Sequence, residues 1–235
     1  TFTVSGFLTD DELLCENEML RNVEKFLLYG IRQYNNVGDD IVLEKYFRIP
    51  WKIHKSDYGV SIVEHHADDS MGYMSNFPIH TPDDLDKLKE RTFEVDRNET
   101  LGLKNALEEI FGDILPVKVG NYDNFFADSG FNPFCGLNFV GTTMDAFKLM
   151  GNDNLLMWPY DHPEAVHRIM RFLTDDRIRY FNWMKDEGLF DFNTDNQFAG
   201  PSGYGYVSDL PAVGTDKQIE LTDLWVWPES QECAM

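Results

Sequence analysis

Apolar residues recur at helical spacing near the start of the chain, at Leu13, Leu14, Met19, Leu20, Val23, Phe26, Leu27 and Ile31. The pattern predicts an amphipathic helix, capped by Thr9 or Asp10 and ended by Asn35, Asn36 and Gly38. Ile41, Leu43, Tyr46 and Phe47 then read as a strand halted by Pro50, and Val60, Ile62 and His65 as a second strand, half of a hairpin. Thr81 and Pro82, with acids next and lysines last, mark a helix start that complements the helix dipole. A further helix is expected over about Asn98 to Phe111, with Gly112 as its stop. Ile114 to Gly120 is a short β-rich run, read as a buried barrel strand. A short helix over 141–153 and a long one from Pro163 to Gly188 follow. The long helix places Ala165, Ile169, Phe172, Leu173, Ile178 and Phe181 on one face. Phe190 to Asn196 and Leu221 to Pro228 are read as two more strands.

Repeated helix-then-strand steps argue for parallel β-strands joined by helical crossovers, hence an α/β fold. No fixed-period repeat or linker divides the chain, so 1–235 is read as one domain. A helical and hairpin region fills about 1–80, and barrel units fill about 81–235.

Composition narrows the function. The apolar share of 43% is that of a folded globular protein, and no apolar run is long enough to span a membrane. No basic-then-apolar leader opens the sequence, so a cytoplasmic location is expected. With 41 acidic against 20 basic residues the formal charge is −21, a field that repels phosphate backbones and excludes nucleic acid as the expected partner. The same field disfavours a polyanionic substrate unless a local basic pocket overrides it. Cys15, Cys135 and Cys233 are far apart and fit a reducing compartment without a disulfide framework.

The segment Asn193 to Pro211, NTDNQFAGPSGYGYVSDLP, carries the strongest chemical signal. A strand, then a carboxylate and amides, then a glycine-rich loop is how α/β barrels present chemistry at the carboxyl ends of their strands. Asp195 and Asn196 are the candidate catalytic pair: a carboxylate there orients a substrate, accepts a proton or stabilises a developing cation. The competing reading makes them turn residues that cap the loop. Gln197, Ser202 and Tyr204 would line the same mouth, with Gly200, Gly203 and Gly205 letting backbone approach a ligand. Asn121, Tyr122 and Asn124 follow the strand ending at Gly120, and Glu229 and Gln231 follow the Trp225–Trp227 segment. Together they form three polar strand ends and are read as substrate-binding groups.

No metal ligands are assigned. His65 and His66 point to opposite faces of a strand, so only one could act with Asp68, and solvated loop residues are the preferred reading. Glu164 and His167 form one Glu-x-x-His without a partner copy.

Four pieces in order, FGDILPVKVG, HPEAVHRIMRFLTDDRIRYFNWMKDEGL, NTDNQFAGPSGYGYVSDLP and DLWVWPESQE, resemble the uroporphyrinogen decarboxylase and corrinoid methyltransferase superfamily. The likeness is to its uroporphyrinogen-decarboxylase-like bacterial branch and spans about Asp39 to Met235. It implies a (β/α)₈ TIM-type barrel, incomplete in this chain, whose C-terminal third would lie beyond Met235. The family's activity would be methyl transfer between a corrinoid and a thiol or similar acceptor, with zinc and a corrinoid carried by a partner protein as the implied cofactors. The alternatives are a uroporphyrinogen-type carboxy-lyase and a non-catalytic barrel subunit that binds a ligand or partner. The His-x-Cys motif of the methyltransferase branch and the RQAGR motif of the decarboxylases are both absent. A many-carboxylate tetrapyrrole wants an Arg-rich cleft, and the proposed strand ends offer Asp, Asn, Gln, Tyr and Glu, which favours methyl transfer. The nearest basic residue, Lys118, lies within its strand. An incomplete barrel would leave a strand edge unpaired, so a homo-oligomer or a longer parent chain is expected.

Overall fold

In the computed structural model, residues 8–38, 45–66, 73–120, 142–192, 197–198, 204–205 and 218–224 are described. Strand β1 (Phe47–Pro50) pairs with β6 (Val117–Gly120) in parallel, with Phe47 opposite Val117 and Pro50 opposite Gly120. Successive strand residues face opposite sides, so Phe47, Ile49, Val117 and Val119 share one face. That face packs against α1 (Glu18–Asn36) and α2 (Arg97–Phe111), where Val23 and Leu107 join Phe47, Ile49 and Val117 in one buried cluster. The Phe47 ring meets Phe26 and Phe111 edge-on, with centroids 5.6 and 5.5 Å away.

A second layer is helical. Helix α3 (Thr143–Asp161) packs on α4 (Pro163–Asp186) around Leu149, Trp158, Ile169 and Leu173, with Tyr58, Ile79 and Leu85 beneath. The C-terminal half of α4 contributes Tyr180, Phe181 and Met184 to a third cluster. It covers the antiparallel pair β2 (Ile53–Lys55) and β5 (Phe93–Val95). Two small antiparallel pairs complete the strands: β3 (Glu64–His66) with β4 (Tyr73–Ser75), and β7 (Gln197–Phe198) with β8 (Tyr204–Gly205). The architecture is thus mixed α/β, mostly helical with a few short strands. Among the described residues the strands form only two-stranded pairs and no closed barrel, and no helix is long and apolar enough to cross a membrane.

Several elements differ from the sequence expectation. Thr9 precedes only a single 3₁₀ turn, Asp10–Glu12, and α1 starts at Glu18 behind Asn17, whose side chain accepts from the Leu20 N–H. The cause is Glu24: its carboxylate accepts the N–H groups of Leu14 and Cys15, holding 13–16 outside the helix. The Thr81 start opens a short 3₁₀ helix, Pro82–Lys87, rather than an α-helix. The expected short helix continues to Asp161, with a break at Gly151, whose φ of 75° is accessible to glycine. A Cβ there would come within 3.0 Å of the Phe77 ring.

Helix α4 stops as expected at Gly188 (φ 66°), where the Gly188 and Leu189 N–H groups return to Lys185 and Met184, a Schellman ending. Phe190 to Phe192, the described part of the strand expected over Phe190 to Asn196, forms no ladder; Phe192 is buried by packing instead, as is Leu189 before it. Residues 193–196 lie outside the described residues. Leu221–Asp223 is a 3₁₀ turn rather than the start of a strand, and 225–228 are outside the described residues. The expected parallel arrangement holds for β1 and β6, whereas the other three pairs are antiparallel.

An ion network ties these layers together. Asp176, buried in α4, accepts Arg91 at 2.5 and 2.9 Å and Arg179 at 2.7 Å. Arg91 lies 4.4 Å over the ring of Tyr58, whose hydroxyl donates to Asp145 (3.3 Å); Asp145 also accepts Arg177 (2.7 Å). Burial, reinforced by the Asp145 charge, pushes the Tyr58 hydroxyl far above the usual phenol range. Removing one member of such a cluster leaves a buried charge uncompensated. Asp176→Ala is therefore expected to lower unfolding free energy by roughly 3–5 kcal/mol. Arg168→Ala, which breaks an exposed pair with Asp86, should cost no more than about 1 kcal/mol. Chemical denaturation of both variants checks the contrast; equal losses would contradict it.

Candidate functional site

The parallel register of β1 and β6 sets two cations side by side. Arg48 is the Cα partner of Lys118, and both belong to the strand face opposite the one that packs on α1 and α2. Tyr46, buried on the same side two residues before Arg48, places its ring beneath both heads. The Arg48 guanidinium carbon is 4.4 Å and the Lys118 Nζ 4.2 Å from its centroid. The aromatic ring therefore lies within cation–π distance of both charges.

Asp191, just beyond α4, completes the group. Its Oδ2 lies 3.4 Å from an Arg48 terminal nitrogen, with the Arg48 side chain 4% and the Asp191 side chain 28% exposed. Gly120, the last residue of β6, makes room for it: a Cβ there would be 3.2 Å from both the Cβ and Oδ2 of Asp191. Arg48, Lys118 and Asp191 each make further contacts besides these. Chemically, the arrangement is a buried guanidinium and a half-buried ammonium near an acidic side chain, set just inside the carboxyl ends of two parallel strands. Such a group can hold and orient an anionic function of a small molecule.

Of the residues proposed from sequence, Asp195, Asn196, Asn121, Tyr122, Asn124, Ser202, Glu229 and Gln231 lie outside the described residues. Gln197 and Tyr204 belong to the β7–β8 ladder, with Gln197 opposite Gly205 and Phe198 opposite Tyr204. His65 and His66 pair with Met74 and Tyr73 across β3–β4, His65 being exposed. Glu164 and His167 are exposed in the first turns of α4. Among the described residues no group of three or more His, Cys, Asp or Glu is placed to hold a metal ion.

Sequence reasoning passed over Tyr46, Arg48 and Asp191. Two of them left a signal: Tyr46 and Arg48 alternate with the apolar Phe47 and Ile49, as Lys118 alternates with Val117 and Val119. Asp191 left none, being 143 residues from its partner Arg48. No protein-family model, curated protein or solved structure matches this chain.

The contact between Gly120 and Asp191 is directly testable. Gly120→Ala is expected to destabilise the fold by about 1–3 kcal/mol through overpacking. In an Asp191→Gly background, which removes both crowded atoms, the same change should cost less, giving a coupling of at least about 0.5 kcal/mol in a double-mutant cycle. Additive losses would show that the two residues do not compete for the same space.

Proposed function

We propose that this chain is an enzyme of the uroporphyrinogen-decarboxylase-like type, built on (β/α)₈-barrel lines, that transfers a methyl group between a corrinoid and a thiol or similar acceptor. The observation that carries this reading is the parallel β1–β6 pair, sealed by helices on one face and bearing Tyr46, Arg48 and Lys118 on the other. A sheet of this kind binds small molecules beyond the carboxyl ends of its strands, here Pro50 and Gly120. Asn121, Tyr122 and Asn124 follow Gly120 directly in the chain, which supports their role in holding the acceptor.

In this reading the Arg48–Lys118 face orients the acceptor, and the Asp195 carboxylate takes up the proton that a thiol must lose to become nucleophilic. Gln197, Tyr204, Glu229 and Gln231 would complete the enclosure that keeps water from the transferred group. A corrinoid, delivered by a partner protein, would supply the methyl group. Since the described residues offer no metal-holding cluster, no step is assigned to zinc.

A second reading, decarboxylation of a carboxylate-bearing substrate, gains from the same face, because Arg48 and Lys118 supply basic groups that the strand ends alone lack. Incubation with methylcobalamin and a panel of thiols separates the readings. Methyl transfer predicts loss of the methylcobalamin absorbance and a methylated thiol, both abolished in Asp195→Ala with melting temperature nearly unchanged. Carbon dioxide release from carboxylated substrates without methyl transfer would support the second reading instead. Absence of both reactions would reduce the chain to a binding subunit, and a collapse of melting temperature in Asp195→Ala would make that residue structural.

A further inference from the structure

Helix α4 carries an apolar stripe that packing leaves partly open. Ile178 shares a helical face with Phe181, yet Ile178 is 55% exposed and Phe181 only 7%. The opening is a cavity of about 400 Å³ between the C-terminal half of α4, the Leu221–Asp223 turn and the start of α3. Its apolar lining is Ile178, Phe181, Phe190 and Leu221. We propose that this cavity binds an uncharged aromatic molecule bearing a neutral hydrogen-bonding group such as a carboxamide.

Three observations support it. The first is size and lining. The volume falls within the roughly 300–1,000 Å³ of small-molecule sites, whose walls are mostly apolar with a few polar groups that set orientation. Two phenylalanines in the lining favour a ring, because aromatic pairs gain contact energy beyond the area they bury. The second is the polar groups. Thr142 stands at the N-cap of α3, yet its side chain makes no capping hydrogen bond. The Asn182 amide, one turn beyond Ile178, makes no hydrogen bond with another described residue. Both line the cavity, and a hydroxyl and an amide can each donate and accept, as a neutral carboxamide does. The third is charge. The lining cations are already committed: Arg177 meets Asp145 at 2.7 Å, and Lys185 lies 3.4 Å from Glu220. An anion would find no spare cation, would lose hydration against Phe181 and Phe190, and is opposed by the overall charge of −21. A cation, which that charge draws in, would meet Arg177 and Lys185 in the wall. Among the described residues the lining shares none with the Tyr46, Arg48 and Lys118 group, so the inference stands apart from the enzymatic reading.

The test titrates the full chain with three probes of similar shape: naphthamide, the anion naphthoate and the cation naphthylmethylammonium. Calorimetry at constant ionic strength reads the affinity, and saturation-transfer magnetic resonance reads contact with the ring. The expected result is saturable naphthamide binding, with each charged probe at least about tenfold weaker. Ile178→Glu, which sets a charge at the cavity from an exposed position, should weaken naphthamide at least about tenfold. Asn182→Leu should weaken it at least about fivefold by removing a hydrogen bond. Arg168→Ala, elsewhere on α4, should leave it unchanged. Should Ile178→Glu fail to fold by far-ultraviolet circular dichroism, Ile178→Gln takes its place. Absent naphthamide binding, equal or tighter binding of either charged probe, or indifference to either cavity substitution would each overturn the proposal. Weakening by Arg168→Ala as large as by Ile178→Glu would place the probe elsewhere and overturn it too.

Discussion

The parallel register between β1 and β6 is the constraint on which the rest of this molecule depends. Because side chains alternate across a strand, one choice of register decides two things together. It sends Phe47, Ile49, Val117 and Val119 into the layer formed with α1 and α2, and it gathers Tyr46, Arg48 and Lys118 on the other side. A slip of one residue in either strand would drive a guanidinium or an ammonium against Phe26, Phe111 and Leu107. Burying an unpartnered charge there costs far more than the ladder bonds would return. The apolar core and the charged site are therefore two faces of the same decision, and selection on one maintains the other.

How much of this was legible depends on where the information lay. Helix α2, strand β6 and helix α4 were readable because each is set by local signals: periodic apolar positions, Pro163 at a helix start, Gly188 at a helix end. The beginning of α1 was misread because periodicity includes Leu13 and Leu14, whereas Glu24 withdraws that backbone from the helix through hydrogen bonds from nine and ten residues away. Phe190 to Phe192 reads as the start of a strand because apolar residues after a helix stop look alike whether they enter a ladder or merely pack; here packing won. The strand-end candidates around Asp195, Asn121 and Glu229 are signalled by loop composition alone, with no periodicity to set their neighbours.

The site itself was half legible. Lys118 was noticed and set aside for being inside its strand instead of at its end. That judgement treated the strand in isolation. Once β1 lies beside β6, an interior position faces Arg48 across the ladder, a neighbour that a single strand cannot show. Asp191 required the whole fold, since only the packing of α4 over the sheet region brings residues 143 apart in sequence together.

Two pairs of the same chemistry then serve different ends, and their geometry tells them apart. Arg91 and Asp176 meet at 2.5 Å with the Asp176 side chain 3% exposed, and Arg179 adds a second cation at 2.7 Å. The Arg91–Asp176 and Arg179–Glu90 contacts join α4 to the segment before β5, so the network is a clamp between them. Arg48 and Asp191 stand 3.4 Å apart with Asp191 28% exposed, and Gly120, lacking a side chain, lets Asp191 pack against the end of β6. Asp191 against Arg48, wider and more exposed than Asp176 against Arg91, joins the segment after α4 to β1, so the two pairs tie the same helix region to different strands.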